Sequence, residues 1–345
     1  MTQPAILAVG TAVPAHRYNQ MDICEGLSPA FNNRRAPAVF RATEIETRYS
    51  VLETTDWLVQ NPDNETRLAR YHAEAPPLGI RAIRRALQRA HRTPNQIDHL
   101  IIASCTGVDT PSLDVAIAGE MGLSPYLSRS AIVGMGCHAF LPALRQAIHA
   151  VQAHPQSIAV VLTLELCTLH FQHDRSLRNM LGSALFADGA SAAVVGATEN
   201  GGLRLLDGLS YSEYRTQAEM TFHPGNRGYK IHLSGQIPDL VRQQTPPLIE
   251  RLLSANGLRL SDIKHWVVHP GGMKILDYLE QTLELENNEL QYSRAILREY
   301  GNMSSATLLF VLERLEREAQ PAPGDYGLLV GFGPGVTIEL ELVQW

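Results

Sequence analysis

The chain is 345 residues long and 45% hydrophobic, enough to build two halves around a shared core and unlike a disordered tail or a small stapled scaffold. Its formal charge is only −6, and no run of Lys and Arg is interleaved with aromatics, so nothing favours a nucleic-acid partner. The four cysteines, Cys24, Cys105, Cys137 and Cys167, lack CxxC or Cys/His ligand spacing, which argues against a disulfide framework and a zinc site alike.

In chain order, the opening run from Gln3 to Gly10 has no basic region before it. No later stretch approaches the ~18 apolar residues of a membrane span, so a cytoplasmic protein with no membrane span is expected. An amphipathic helix near 79–91 ends at a turn, followed by Ile97-Asp98-His99 and an apolar strand. A second apolar stretch runs through Val133-Gly134-Met135-Gly136-Cys137-His138-Ala139-Phe140 into a helical pattern over about 137–153. Strands over 157–164 and 189–196 close this half, and the polar, Gly-rich break Glu199-Asn200-Gly201-Gly202 marks its end. Beyond it, a helix near 239–256, then Ile263-Lys264-His265 and another strand, repeat the earlier pattern at one constant offset, Ile97 to Ile263 and His99 to His265. That offset also carries Cys137 onto Met303, where a Gly-rich turn again opens a helix, over about 304–319, with strands over 326–332 and 335–342 to follow. The repetition predicts an α/β fold of two related halves, 1–199 and 200–345, with mixed sheets buried between helix layers.

A thiol at a helix N-terminus feels the positive end of the helix dipole, and a nearby imidazole holds it as a thiolate. Val268-His269-Pro270-Gly271-Gly272 and Gly301-Asn302-Met303-Ser304-Ser305-Ala306-Thr307 supply an imidazole and an amide from the second half. Cys137, His269 and Asn302 are therefore the candidate catalytic residues of an acyl-transfer enzyme whose site lies between the halves. Singly, each has a plainer reading: a small buried hydrophobe, a strand-end histidine satisfied by backbone, a helix cap. The basic spot Asn33-Arg34-Arg35 suits a phosphorylated ligand and equally suits plain solvation.

Taken together, GMGC at Cys137, the run Ala184-Leu185-Phe186-Ala187-Asp188-Gly189-Ala190, HPGG at His269, GNMSSAT at Asn302 and the closing Gly331-Phe332-Gly333-Pro334-Gly335 resemble the type III polyketide synthases. These are the chalcone-synthase-like branch of the thiolase fold, and the resemblance spans nearly the whole chain. It implies duplicated αβαβα layers and a homodimer in which the segment at Thr110 and Pro111 approaches the partner's cavity. It also implies that Cys137 takes an acyl group from a coenzyme A thioester, with His269 maintaining its reactivity. His269 and Asn302 would then hold malonyl-CoA as it decarboxylates, with Phe186 as an aromatic gate and no metal or redox cofactor. Arg35 is the best match to the basic residues that grip coenzyme A.

Cys105, Thr106, Thr110, Cys167 and His170 fall at pocket-lining positions, with Ser304 beside Asn302, and Gly331, Phe332, Gly333 and Pro334 fall against the cyclisation cavity. Ile231 stands where plant members carry a second gate phenylalanine. The small side chains resemble bacterial members that open a tunnel for medium or long fatty acyl starters and release alkylpyrones or alkylresorcinols, while the bulk of His170 opposes extension. Two rivals stay open: a ketoacyl-synthase-III-like enzyme of single condensation, and an acyl-binding relative without chemistry.

Overall fold

The computed structural model describes residues 3–199, 201–286 and 288–345; Asn200, within the expected break, lies outside them. The chain begins with β1 (Gln3–Ala12), β2 (His16–Asn19), three short helices α1 (Gln20–Gly26), α2 (Ser28–Phe31) and α3 (Ala36–Arg41), β3 (Thr47–Ser50) and α4 (Asp56–Gln60). There follow α5 (Asn64–Arg89), β4 (His99–Ala103), α6 (Leu113–Met121), β5 (Ser128–Ile132), α7 (Phe140–Ala153), β6 (Ala159–Leu166), α8 (Leu177–Leu185) and β7 (Asp188–Thr198). After the break come β8 (Leu203–Ser212), the hairpin β9 (Met220–Gly225) and β10 (Gly228–Leu233), α9 (Ile237–Ala255) and β11 (Ile263–Val268). The last elements are α10 (Met273–Leu283), α11 (Gln291–Tyr300), α12 (Thr307–Ala319), β12 (Tyr326–Gly333) and β13 (Thr337–Gln344).

Nine strands form one sheet in the order β11-β12-β13-β8-β1-β7-β6-β4-β5. Its two wings repeat one another. In each, a parallel pair (β4 with β6, β11 with β12) is followed by antiparallel partners, β7 and β1 in one wing and β13 and β8 in the other. Among the described residues the wings join through the strand pairs Ala5 with Arg204 and Ile6 with Leu203.

Alternation along the strands sorts side chains into three apolar layers. Val160, Leu162 and Val194 pack outward under Leu78, Ala82 and Ile83 of α5. Val161, Val195, Leu329 and Val343 face a central layer with Phe140 and Leu144 of α7 and Leu308 and Leu312 of α12. Leu328, Val330 and Leu340 pack beneath Val241, Ile249 and Leu252 of α9. The result is the expected αβαβα stack, with α7 and α12 in the middle. Both central helices start in a single 3-10 turn, Gly136–His138 and Ser304–Ala306, so each half aims one helix N-terminus at the same place.

One boundary differs from the sequence reading. α5 starts at Asn64, not near 79, and continues through Pro76 and Pro77, where two amide donors are missing. An interior proline costs about 3 kcal/mol, and burial of Tyr71, Leu78, Ile80, Ile83 and Leu87, at roughly 1.5–3 kcal/mol per large side chain, outweighs it. Asp63 fixes the start by accepting from the Thr66 N–H at 2.9 Å.

α5 lies directly on β1 at Gly10, where a Cβ would fall 2.3 Å from Ala86 N and 2.5 Å from Ala82 O. Both atoms are helix backbone and cannot give way. Gly10→Ala is expected to push helix and strand apart at a cost on the order of 2–3 kcal/mol, read as a lower urea midpoint with the unfolding slope retained.

Candidate active site

Cys137 lies in the 3-10 turn that leads from β5 into α7, at the N-terminal end of the central helix. The turn rests on β12 because that strand offers glycines beneath it: a Cβ at Gly333 would sit 2.0 Å from His138 Nδ1, and one at Gly331 3.1 Å from Leu141 Cδ1. His269 follows the last residue of β11, its N–H extending the parallel ladder to Val330 O at 2.8 Å. Asn302 precedes the 3-10 turn of α12 and pairs with Phe186 in a short parallel bridge, donating to Leu185 O at 3.0 Å and accepting from Ala187 N at 2.9 Å.

The three candidates and Phe186 line one cleft of about 440 Å³ with Phe332, Leu185, Met273 and other apolar side chains around them. Asn302 is 2% exposed and divides its amide between two tasks. Its Oδ1 accepts the Ser304 N–H at 2.8 Å, which is the capping role, while Nδ2 approaches Gly271 O at 3.5 Å and donates to the Cys137 sulfur. Helix cap and catalytic amide are therefore compatible in one residue.

Electrostatics correct the expectation of a resting thiolate. Burial pushes the Cys137 thiol up to about 11, against hydrogen bonds from Ser304 and Asn302 and from its own N–H, and the charge of Glu165 pushes it the same way as burial. Burial, with a smaller push from His138, pulls His269 down to about 3, and its Nδ1 is buried without a partner among the described residues. Sulfur and imidazole thus rest as neutral thiol and neutral base. His138, next to the nucleophile, is likewise buried and pulled down to about 4.

A second, smaller chamber of about 50 Å³ opens on the other side of Cys137. Cys105, Thr106, Cys167, Phe186, Ile231, Ser304 and Pro334 line it, as the sequence suggested. Thr110 and Arg35 line neither space: Thr110 is exposed, and Arg35 sits exposed at the start of α3, one turn before the cleft-lining Val39. His170 is absent from the wall too. It stands behind it, stacked on Tyr229 at 4.2 Å and edge-on to Phe222 at 6.0 Å, with Nε2 2.6 Å from Thr106 O. Beside the small side chains, the β9–β10 hairpin lays Met220, Thr221 and Phe222 along the chamber.

Sequence reasoning missed three contributors. Phe222 and Met220 come from a hairpin whose pattern carries no signal of where it docks. Glu165, fully buried in β6, accepts from Cys105 N at 3.0 Å, Thr106 N at 3.1 Å, Thr106 Oγ1 at 2.8 Å and Ser305 Oγ at 2.6 Å, with Cys105 Sγ at 3.3 Å and Ser304 Oγ at 3.4 Å. A charged residue inside an otherwise apolar strand was its only sequence signal.

Comparison with known proteins agrees with this architecture. Residues 2–199 match the chalcone and stilbene synthase N-terminal domain and residues 214–344 the C-terminal domain of the same family. The chain is 36% identical over 344 residues to a 3,5-dihydroxyphenylacetyl-CoA synthase of Amycolatopsis balhimycina, covering 98% of this chain and 92% of that one. It is 30% identical over 354 residues to the alpha-pyrone synthesis polyketide synthase-like Pks18 of Mycobacterium tuberculosis, covering 98% and 90%. Among solved structures, the 1,3,6,8-tetrahydroxynaphthalene synthase of Streptomyces coelicolor, a bacterial type III polyketide synthase, superposes with a TM-score of 0.93 at 31% identity over 99% of both chains. No helix among the described residues is long and apolar enough to cross a membrane. With both domains matched and the layered fold shared, the chain belongs to the chalcone and stilbene synthase family and is a type III polyketide synthase, a condensing enzyme of the acyltransferase kind.

Proposed function

We propose that Cys137, His269 and Asn302 carry out a decarboxylative condensation of malonyl-CoA units onto a short acyl starter. The observation that supports this most is a single apolar cleft lined by a thiol, a neutral imidazole, an amide whose donor is turned to the sulfur and the aromatic Phe186. A neutral thiol attacks an acyl-CoA thioester as its proton passes to His269, whose depressed affinity for a proton keeps it a base throughout the neutral range. The acyl group is then on sulfur, and coenzyme A leaves with the proton.

Malonyl-CoA next presents its thioester oxygen to His269 and the Asn302 Nδ2 donor. Loss of carbon dioxide leaves the electron pair of the broken carbon–carbon bond as an enolate, and donors fixed in advance stabilise that charge without reorganisation. Phe186 favours loss of the carboxylate by surrounding it with apolar surface. The carbanion attacks the acyl-Cys137 carbonyl, the carbon–sulfur bond breaks, and the chain grows by two carbons. We assign the nucleophile to an N-terminal half, 1–199, and its imidazole and amide to a C-terminal half, 200–345.

The size of the inner chamber argues for a short starter in place of a long alkyl chain. A space of about 50 Å³ holds only a few water-sized groups at roughly 10–15 Å³ each. The products after which two relatives are named, 3,5-dihydroxyphenylacetyl-CoA and 1,3,6,8-tetrahydroxynaphthalene, are polyhydroxylated aromatics and fit the same reading, with a pyrone as the other outcome of ring closure. Homodimer formation is supported by the exposed edge strand β5 and the exposed Val108, Val133 and Met135 near it; Thr110 would then reach the partner's cavity.

Three outcomes test these assignments. Asn302→Ala is expected to lower malonyl-CoA decarboxylation about a hundredfold, the usual cost of one preorganised donor, while acylation of Cys137 followed by intact-protein mass survives; equal small losses in both steps would reduce Asn302 to a helix cap. Glu165→Gln removes the negative charge that raises the Cys137 thiol, so the pH profile of iodoacetamide alkylation at Cys137 is expected to shift to lower pH; an unmoved or raised profile would contradict the role given to that charge. For the starter, wild type is expected to prefer acetyl- over decanoyl-CoA, and Phe222→Ala to improve kcat/KM for longer acyl-CoAs by about fourfold for each newly buried methylene, at ~0.8 kcal/mol apiece. A wild-type preference for decanoyl-CoA would overturn the short-starter reading.

A further inference from the structure

Arg48, in β3, is 1% exposed, makes no salt bridge within the described residues, and lies between the two segments that carry Phe186 and Asn302. Its Nη1 donates to Ser183 O at 2.7 Å and to Phe186 O at 2.5 Å, so it caps the C-terminal turn of α8 and grips the residue that ends it. On its other side the stem occupies the space where Gly301 would carry a side chain: a Cβ there would fall 2.8 Å from Arg48 Cδ and 2.9 Å from Cγ. Gly301 is also at φ 72°, in the left-handed region, and immediately precedes Asn302. Phe40 and Phe171 flank the guanidinium at 5.8 Å each. The group remains cationic at neutral pH, burial pulling it down only to about 9 against the nearby charge of Asp188.

Taking a guanidinium out of water costs several kcal/mol, and two carbonyls without a bound anion repay that poorly. A leucine would fill the same space more cheaply. What a leucine would not do is fix the carbonyl of Phe186 relative to the backbone of Gly301, and hence the gate relative to the amide. We infer that Arg48 is a positioning residue for decarboxylation, holding Phe186 and Asn302 in register while leaving the Cys137 nucleophile untouched.

This rests on the roles proposed above for Phe186 and Asn302, so those variants are measured alongside. The two readouts are the steady-state rate of carbon dioxide release from malonyl-CoA and the iodoacetamide alkylation rate of Cys137, both normalised to active sites titrated by mass. Arg48→Met keeps the stem and loses the donors; it is expected to lower kcat for decarboxylation on the order of a hundredfold, as small misplacements in a site do, with alkylation of Cys137 within about twofold of wild type. Arg48→Lys keeps the charge and reaches fewer carbonyls, and is expected to fall between, which also decides the matter if the methionine variant does not fold. Parallel loss of both readouts, or wild-type decarboxylation in a folded Arg48→Met, overturns the inference. If Phe186→Ala and Asn302→Ala themselves decarboxylate normally, it is their roles that fail, and the inference with them.

Discussion

A carboxylate taken out of water must be surrounded by donors or protonated, and in this protein that requirement ties the active site together. Glu165 lies wholly buried in β6, and its donors come from two stretches far apart in sequence, Cys105 and Thr106 after β4 and Ser304 and Ser305 at the start of α12. Burial raises its proton affinity while those hydrogen bonds lower it. Satisfying Glu165 therefore brings the start of α12 against β6, which puts Asn302 and Ser304 beside the Cys137 turn. Among the described residues the wings of the sheet share two strand pairs, so this polar junction, with the central apolar layer, carries much of the alignment between them.

The same burial sets the chemistry. A thiol raised to about 11 and an imidazole lowered to about 3 describe a site that disfavours isolated charge on either group. Charge appears there only in passing, on sulfur or on the enolate oxygen, and each time the Asn302 amide, Ser304 and helix N–H groups are already in place. In a water-poor cleft such fixed donors act at low dielectric, where they are strongest. Glu165 works against the thiolate, so on the roles proposed above the proton leaves sulfur only with His269 in place to accept it. The nucleophile is thus gated by its partner.

Much of this was legible in the sequence. Gly136, Gly331 and Gly333 mark close approaches that local patterns reveal, and the constant offset between Ile97 and Ile263 exposed the repeated order that the two wings of the sheet display. Cys137, His269 and Asn302, which line one cleft, stood out as candidates because each sits at a glycine-flanked element end. What failed to show were properties of assembly. The small residues at Cys105, Thr106 and Cys167 suggested an open tunnel, and no local pattern showed that Phe222, edge-on to His170 and to Tyr229 of its own hairpin, lines the same space. Helix α5 was cut short in the sequence reading because Pro76 and Pro77 are local breakers, and only tertiary burial of its apolar face overrides them.

The two spaces around Cys137 share Phe186, Met220 and Leu233 in their walls, and their sizes differ by almost an order of magnitude, about 50 against 440 Å³. Sulfur is the one reactive atom common to both. On the roles proposed above, an acyl group on Cys137 settles in the inner chamber while malonyl-CoA occupies the larger cleft with His269 and Asn302, so acceptor and donor need not exchange places within one condensation. On the same proposal each extension lengthens the acyl chain by two carbons, toward an inner wall backed by His170, whose Nε2 lies 2.6 Å from the Thr106 carbonyl. A growing chain must then turn back toward the sulfur and the larger cleft. Folding back is what brings a carbon early in the chain near a carbonyl late in it, so the same wall that limits the starter also favours ring closure.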